Sequence, residues 1–229
     1  MKANHTSTSV ALRLGVALFS IGIVGCSSTM QSLGRSTPRE AIAKRVEASS
    51  AQVAEVNSRI DGTLQSLDAM ANHPGRDLER QFRTYTGSLD KLEGAADKLR
   101  DEVEAMQQEG REYLVAWDRE IATIQDEDLR NSTQERRNEV AERIDALHSR
   151  YVNARESLAP LLQRLQEVET ALKVDLTAAG IESVRPSVGN LDGVDSARNA
   201  LRELADAFRQ ASVSLAAAQP LSRLGSDND

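Results

Sequence analysis

Few side chains in this sequence are of a type that could carry out chemistry. The histidines are His5, His73 and His148, and the only cysteine is Cys26. A zinc or di-iron site needs several His, Cys or carboxylate ligands at close spacing, and neither H-E-x-x-H nor Glu-x-x-His occurs. His73 and His148 belong to different segments, which leaves no histidine to complete a nucleophile triad. We therefore predict no catalytic residue, no metal ligand and no cofactor site, and hence a protein that is not an enzyme.

Nucleotide and nucleic-acid binding are disfavoured by the glycine pattern and by the charge. The glycines are scattered, with no G-x-G-x-x-G or Walker motif. The formal net charge is -7, and basic residues alternate with acidic ones, as in the run 135–139. A protein that binds phosphate backbones needs clustered Lys and Arg. The alternation instead predicts helix faces in contact with water.

Cys26 follows a segment with the features of a bacterial export signal. A polar start carrying Lys2 and Arg13 precedes the apolar run 14–24, and the segment ends in Ile23-Val24-Gly25-Cys26. This tetrapeptide resembles the lipobox of bacterial lipoproteins, in which the cysteine is acylated and becomes the new N-terminus. We predict a signal peptide over 1–25 and lipidation of Cys26. The alternatives are an ordinary signal peptide with an incidental thiol and a buried structural cysteine, for which no surrounding domain exists.

A lipid on Cys26 would make the membrane the first partner of the chain. Several acyl chains give lasting attachment where one holds only marginally. Ser27, in place of Asp, resembles the outer-membrane sorting signal, so we expect an anchored protein of a Gram-negative cell envelope that faces the periplasm. The short polar segment 26–36 is interpreted as a tether. Removal of a leader with two basic residues and no acid takes the net charge from -7 to -9.

Residues 37–218 have the composition and the periodicity of long helices. Charged residues make up 28% of the chain and aromatic residues 3%, which is typical of helices with a narrow apolar seam. The first seam, after a capping sequence at Thr37-Pro38, ends at the Pro74-Gly75 turn. It consists of Ile42, Val46, Val53, Val56, Ile60, Leu64 and Leu67.

Three further helices continue the pattern. The second helix begins near Asp77 and reaches an interruption at 125–131, after which Ser132-Thr133-Gln134-Glu135 has the form of a capping box. The third ends about Gly180 and carries Pro160. A fourth segment begins near Leu191, and residues 219–229 are a polar tail predicted to be disordered.

The lengths of these helices predict the architecture. Helices two and three are each much longer than one and four, and short loops make successive helices antiparallel. We predict an all-α fold: an elongated antiparallel helical bundle with a long protruding coiled-coil hairpin. The unaccompanied part of the hairpin, about 111–150, would project ~25 Å from the same end as the lipid.

Three aromatic residues, Tyr113, Trp117 and Tyr151, lie at seam positions near the base of the predicted hairpin. Core packing is the ordinary role of an aromatic residue at such a position. The alternative is an aromatic contact site for a partner.

From Thr37 to about Leu215 the chain resembles the Domain of Unknown Function 2959 family of bacterial lipoproteins. The residues that carry the resemblance are Lys44-Arg45-Val46-Glu47, Asp77-Leu78-Glu79, Trp117-Asp118-Arg119-Glu120, Leu129-Arg130, Arg150-Tyr151, Pro160 and Leu172-Lys173, with Leu176 and Ala178. Where the family has His-Asn, this chain has Val174-Asp175, so no role of that histidine transfers. The resemblance implies an exported helical lipoprotein and supplies no activity.

Two functions fit these features. The first is a structural or adaptor element of the cell envelope that displays a surface to an envelope protein. The second is a chaperone-like binding module that holds a lipid or a hydrophobic peptide between its helices, for which a cavity is required. Self-association stays open, since apolar seams that close a bundle can also pair two chains.

Overall fold

A computed structural model describes residues 38–191 and 193–217, with side chains as far as residue 214. In this part of the chain five helices follow one another: α1 Pro38–Asn72, α2 Leu78–Ile121, α3 Glu127–Val174, α4 Ala178–Gly189 and α5 Val194–Ala217. The predicted all-α class is confirmed. The predicted signal peptide 1–25, lipidated Cys26, tether 26–36 and tail 219–229 lie outside the described residues.

The four longer helices form an antiparallel bundle. α1 packs between α2 and α5, and α3 packs against the same two helices from the opposite corner. Arg45 of α1 lies 3.2 Å from Glu102 of α2, and Arg150 of α3 lies 4.0 Å from Glu203 of α5. Arg198 of α5 pairs with Asp61 of α1. These contacts place the start of α1 and the end of α5 at the same end of the bundle.

The core follows the apolar seams that the sequence shows. Every residue of the first predicted seam is buried except Leu64, which is half-buried. Among the largest buried side chains of the other helices are Tyr85, Leu89, Leu161, Leu165 and Phe208. The Tyr85 hydroxyl donates a 2.6 Å hydrogen bond to the carbonyl oxygen of Leu165, which ties α2 to α3. Burial of this apolar surface stabilises the bundle, at about 25 cal/mol per Å².

Two polar side chains are also fully buried on α1. The Thr63 hydroxyl lies 2.8 Å from the carbonyl oxygen of Arg59 and 3.0 Å from that of Ser88 on α2. The Ser49 hydroxyl has no hydrogen-bond partner among the described atoms. A buried hydroxyl without a partner lowers stability, whereas a hydrogen-bonded one contributes about 0.5–1.5 kcal/mol to it.

The start of α3 differs from the prediction. Asp126 caps the helix by accepting a 2.8 Å hydrogen bond from the backbone N–H of Leu129. The negative charges of Glu127 and Asp128 in the first turn stabilise the helix by interacting with the positive end of its dipole. Most of the segment 125–131 is therefore helical. The predicted capping box at Ser132 is wrong, since Ser132 and Thr133 lie inside α3 and bond back to the carbonyl oxygen of Leu129.

The third predicted helix ends earlier than Gly180. α3 stops at Val174, and Thr177 caps a separate short helix, α4, through the backbone N–H of Gly180. A Cβ at Gly180 would lie 2.0 Å from the carbonyl oxygen of Asp175, so only glycine fits this close approach. α4 packs against α1 and α3, and the Arg185 side chain donates to the carbonyl oxygen of Ala71 at the end of α1. α4 thus closes one end of the bundle.

At the other end α2 and α3 continue beyond the described parts of α1 and α5. Of the described residues 111–143, only Ile121 is buried. This two-helix part, which we call the hairpin, extends ~16 Å along α2. It is shorter than the predicted overhang to Arg150, because Ile144 and Leu147 already belong to the bundle core and Arg150 lies beside Glu203 of α5. None of the described helices is long and apolar enough to cross a membrane.

Candidate functional site

A cavity of about 240 Å³ lies at the base of the hairpin, where the four-helix bundle ends. Arg39 and Ile42 enter it from the start of α1, and Ala211 and Ser214 from the last described side chains of α5. Val46 of α1 and residues of α2 and α3, which continue into the hairpin, supply the remaining walls. The described part of α1 begins at this cavity and that of α5 ends there, whereas α2 and α3 continue past it.

The inner wall of the cavity is apolar and comes from three helices. It consists of Ile42, Val46, Met106, Val140, Ile144 and Leu147. Gly110 sets the spacing of this wall, since a Cβ there would lie 3.1 Å from Cδ1 of Ile144 and 3.4 Å from Cδ1 of Ile42. Without a side chain at Gly110, both isoleucines lie close to the α2 backbone. The wall could hold an apolar group.

Two aromatic side chains of α2 line the side of the cavity that faces the hairpin. The ring centroids of Tyr113 and Trp117 lie 5.4 Å apart with the planes at 43°, and both residues are half-buried. Burial raises the pKa of Tyr113, and the nearby charges of Arg39 and Arg136 act in the opposite direction. The Tyr113 phenol therefore stays protonated at neutral pH and keeps a hydrogen-bond donor beside the arginines.

The rest of the cavity lining is mostly cationic. Arg39, Arg136 and Arg143 contribute three positive charges and Glu139 one negative charge. Arg143 lies 3.9 Å from Glu139, whereas Arg136 forms no ion pair with any described residue. In a chain whose net charge is -7, this cluster is a local positive region. It can attract an anion.

The structure brings together two of the three predicted aromatic residues. Tyr113 and Trp117 line the cavity, but Tyr151 is 5% exposed in the bundle core and does not line it. Its ring centroid lies 6.3 Å from that of His148, and burial raises its pKa. Tyr151 therefore packs where the bundle is complete. Cys26, the predicted lipid attachment site, lies outside the described residues.

The arginines of the cavity were not identified from the sequence. Arg136 and Arg143 are seven residues apart, a spacing that places two side chains on one face of a helix. Because acidic residues surround both of them in the sequence, the alternation was interpreted as a solvated face. Only the positions of α1 and α5 show that this face borders a cavity.

The described residues contain no cluster of His, Cys, Asp or Glu that could hold a metal ion. The cavity, with an apolar wall and a cationic edge, could bind a ligand that has an apolar part and an anionic part.

Comparison with known proteins gives a family and no closer relative. No significant match is found among curated proteins or among solved structures. The family model described as "Protein of unknown function (DUF2959)" matches residues 27–217, which include all five helices and the cavity. The chain belongs to the DUF2959 family.

Proposed function

We propose that this protein is a lipid-anchored, non-enzymatic adaptor of the bacterial cell envelope that contacts another envelope protein through its hairpin. The observation that carries the proposal is the continuation of α2 and α3 beyond the bundle. The hairpin exposes 48% of Val115 and 56% of Leu129, both large apolar residues. Single exposed apolar side chains also occur on the bundle, at Val174 and Val213, so the projecting pair of helices supports the proposal more than these two residues do.

The tether length is compatible with a hairpin that works near a membrane surface. About a dozen residues separate Cys26 from Pro38, so the connection spans at most ~40 Å even when fully extended. α1 begins at the end of the bundle from which the hairpin projects. A lipid on Cys26 would therefore keep the hairpin within a limited distance of the membrane.

Photo-crosslinking in cells tests the adaptor proposal. A photoreactive residue replaces Gln125 or Asn131 at the tip of the hairpin, and Glu203 on α5 serves as the matched exposed control. We expect a discrete adduct from the tip positions and none from the control. Equal adducts from all three positions, or none from the tip, would contradict the proposal.

Acylation is tested separately. Cys26→Ser should abolish labelling by a clickable fatty acid and release the protein from the membrane fraction. Ser27→Ala is the control that keeps the thiol. Retention of the label in Cys26→Ser would exclude Cys26 as the lipid attachment site.

The cavity favours a second candidate function, a module that holds a lipid or a hydrophobic peptide between its helices. Its support is the apolar wall of six side chains beside a half-buried aromatic pair. Native mass spectrometry of the protein from its own cells checks this function. A retained ligand of defined mass is expected, and a spectrum of the bare chain alone would count against it.

A further inference from the structure

We propose that the cavity binds a single-chain anionic amphiphile, with its acyl chain against the apolar wall and its headgroup at Arg136 and Arg143. The inference rests on the binding-module function above and names the ligand class for it. A carboxylate and a phosphate headgroup share the required chemistry, an anionic group with several acceptor oxygens.

The volume of the cavity limits the apolar part of the ligand. A dry cavity of ~150 Å³ already accommodates benzene, and sites for larger ligands begin near 300 Å³. At about 240 Å³ this cavity has room for part of one acyl chain and not for the two chains of an ordinary membrane lipid. Ile42, Met106 and Ile144 from three different helices would surround that chain.

The charges at the cavity select the headgroup. A guanidinium presents N–H donors in a planar fork that matches a carboxylate or a phosphate. Arg136 lacks an ion-pair partner among the described residues, while Arg143 is only 3.9 Å from Glu139, at the outer limit of an ion pair. Both groups therefore retain donors for a ligand. A cationic headgroup at the same place would be repelled by the guanidinium groups of Arg136 and Arg143.

A hydrophobic peptide is a poorer fit to the same lining. Its backbone N–H groups would need acceptors inside the cavity. Glu139 is the only carboxylate in the described lining, and it already lies beside Arg143. An acyl chain has no such requirement.

Trp117 provides a direct readout, because it is the only tryptophan of the chain and lines the cavity. The described core residues lie between Ile42 and Phe208, within the unit that begins at Ser36, so a form without residues 1–35 keeps all of them. Its helical content is checked by circular dichroism. Trp117 emission is then titrated with laurate, dodecyl phosphate, dodecyltrimethylammonium and acetylated trileucine amide, each below its critical micelle concentration.

Three variants connect the signal to the site. Arg136→Gln removes the guanidinium that has no ion-pair partner among the described residues, and Arg130→Gln on the exposed tip part of α3 is the matched control. Ala211→Phe places a ring in the cavity from α5. We expect laurate and dodecyl phosphate to bind, Arg136→Gln to weaken both about tenfold, Arg130→Gln to leave both unchanged, and Ala211→Phe to abolish the emission change with normal helical content.

The outcomes separate the ligand class from the function. Equal binding of the anionic and cationic probes would overturn the anionic headgroup and leave a binding module. Binding of the peptide alone would overturn the amphiphile and likewise leave a binding module. If no probe changes the emission, the ligand proposal is overturned, while the hairpin adducts decide the adaptor function independently. A preference for laurate over dodecyl phosphate, or the reverse, identifies the headgroup within the proposed class.

Discussion

The bundle and the hairpin are built partly from the same two helices, α2 and α3, yet they differ in how they are stabilised. In the bundle, where α2 runs as far as Gly110 and α3 continues from Ile144, α1 and α5 complete a continuous core with them. In the hairpin, residues 111–143, only Ile121 is buried. The apolar spacing hardly changes along α2: Val103 and Met106 are fully buried, but Tyr113 and Trp117 stay half-buried. The number of neighbouring helices, and not the seam alone, decides whether a side chain becomes core.

The largest expected effect tests whether stability resides in the bundle. Phe208 is fully buried, so Phe208→Ala removes packing on several helices and should lower the free energy of unfolding by about 3–5 kcal/mol. Leu129→Ala in the hairpin, where the side chain is 56% exposed, should change it by less than ~0.5 kcal/mol. Urea titration followed by circular dichroism measures both. Similar losses in the two variants would remove the distinction between the regions.

A second test uses pH. Burial raises the pKa of Tyr85 above its ordinary value of 10.0, and the negative charge of Glu169 raises it further by a smaller amount. The folded state therefore keeps a proton that the unfolded state releases above pH ~10. The stability due to the neutral phenol is complete below that pH and is lost as the pH rises further, by at most ~1.4 kcal/mol per pH unit.

Tyr85→Phe should make this alkaline decline less steep. Urea unfolding of both proteins between pH 9 and pH 11 measures the slopes, and Tyr113→Phe at the edge of the hairpin is the comparison. Because Tyr113 is only half-buried, its substitution should change the slope less. An unchanged slope in Tyr85→Phe would show that the Tyr85 phenol does not contribute to the alkaline loss of stability.

Two buried hydroxyls of α1 give changes of opposite sign inside the bundle. Ser49→Ala removes a hydroxyl without a described partner and should raise the free energy of unfolding by about 1 kcal/mol. Thr63→Val keeps the shape but removes the contact to Ser88, and should lower it by about 1 kcal/mol. Thermal unfolding distinguishes the two. A loss in Ser49→Ala would mean that this hydroxyl is satisfied.

The smallest effect concerns the hairpin itself. Arg137 of α3 donates two hydrogen bonds, of 2.8 and 2.9 Å, to the carboxylate of Asp118 on α2. They connect the two helices of the hairpin. The pair is partly exposed, so Arg137→Gln should cost only about 0.5 kcal/mol. Hydrogen exchange of amides 111–143 should become faster while the bundle amides stay protected. Arg83→Gln, which breaks an exposed pair on the bundle, should leave hairpin exchange unchanged.

Much of the fold follows from the sequence because one periodic pattern runs through it. The steps of three, four and seven residues from Ile42 to Leu67 predict the α1 core, in which Leu64 alone is only half-buried, and Pro74-Gly75 follows its end. Helix boundaries were less predictable where several capping residues competed. Asp126 and Ser132 are both residue types that favour the N-cap position. In the structure Asp126 is the N-cap, because its carboxylate accepts a hydrogen bond from the backbone N–H of Leu129.

The candidate site was only partly predictable. Tyr113 and Trp117 could be identified as aromatic residues near the base of a hairpin, but Tyr151 could not be separated from them. That separation depends on how far α5 extends along α3. Arg136 lines a cavity only because the start of α1 and the last described turns of α5 lie beside it. The residues near Arg136 in the sequence do not indicate where those two helices lie.

The shared cavity of Arg39 and Ser214 also bears on chain topology. The two ends of the helical domain are neighbours in space, and neighbouring ends permit circular permutation. A short linker could join the end of α5 to the start of α1, and the chain could be reopened at Thr123 in the exposed turn between α2 and α3. Such a protein would keep every helix of the core and exchange the hairpin connection for a new pair of termini.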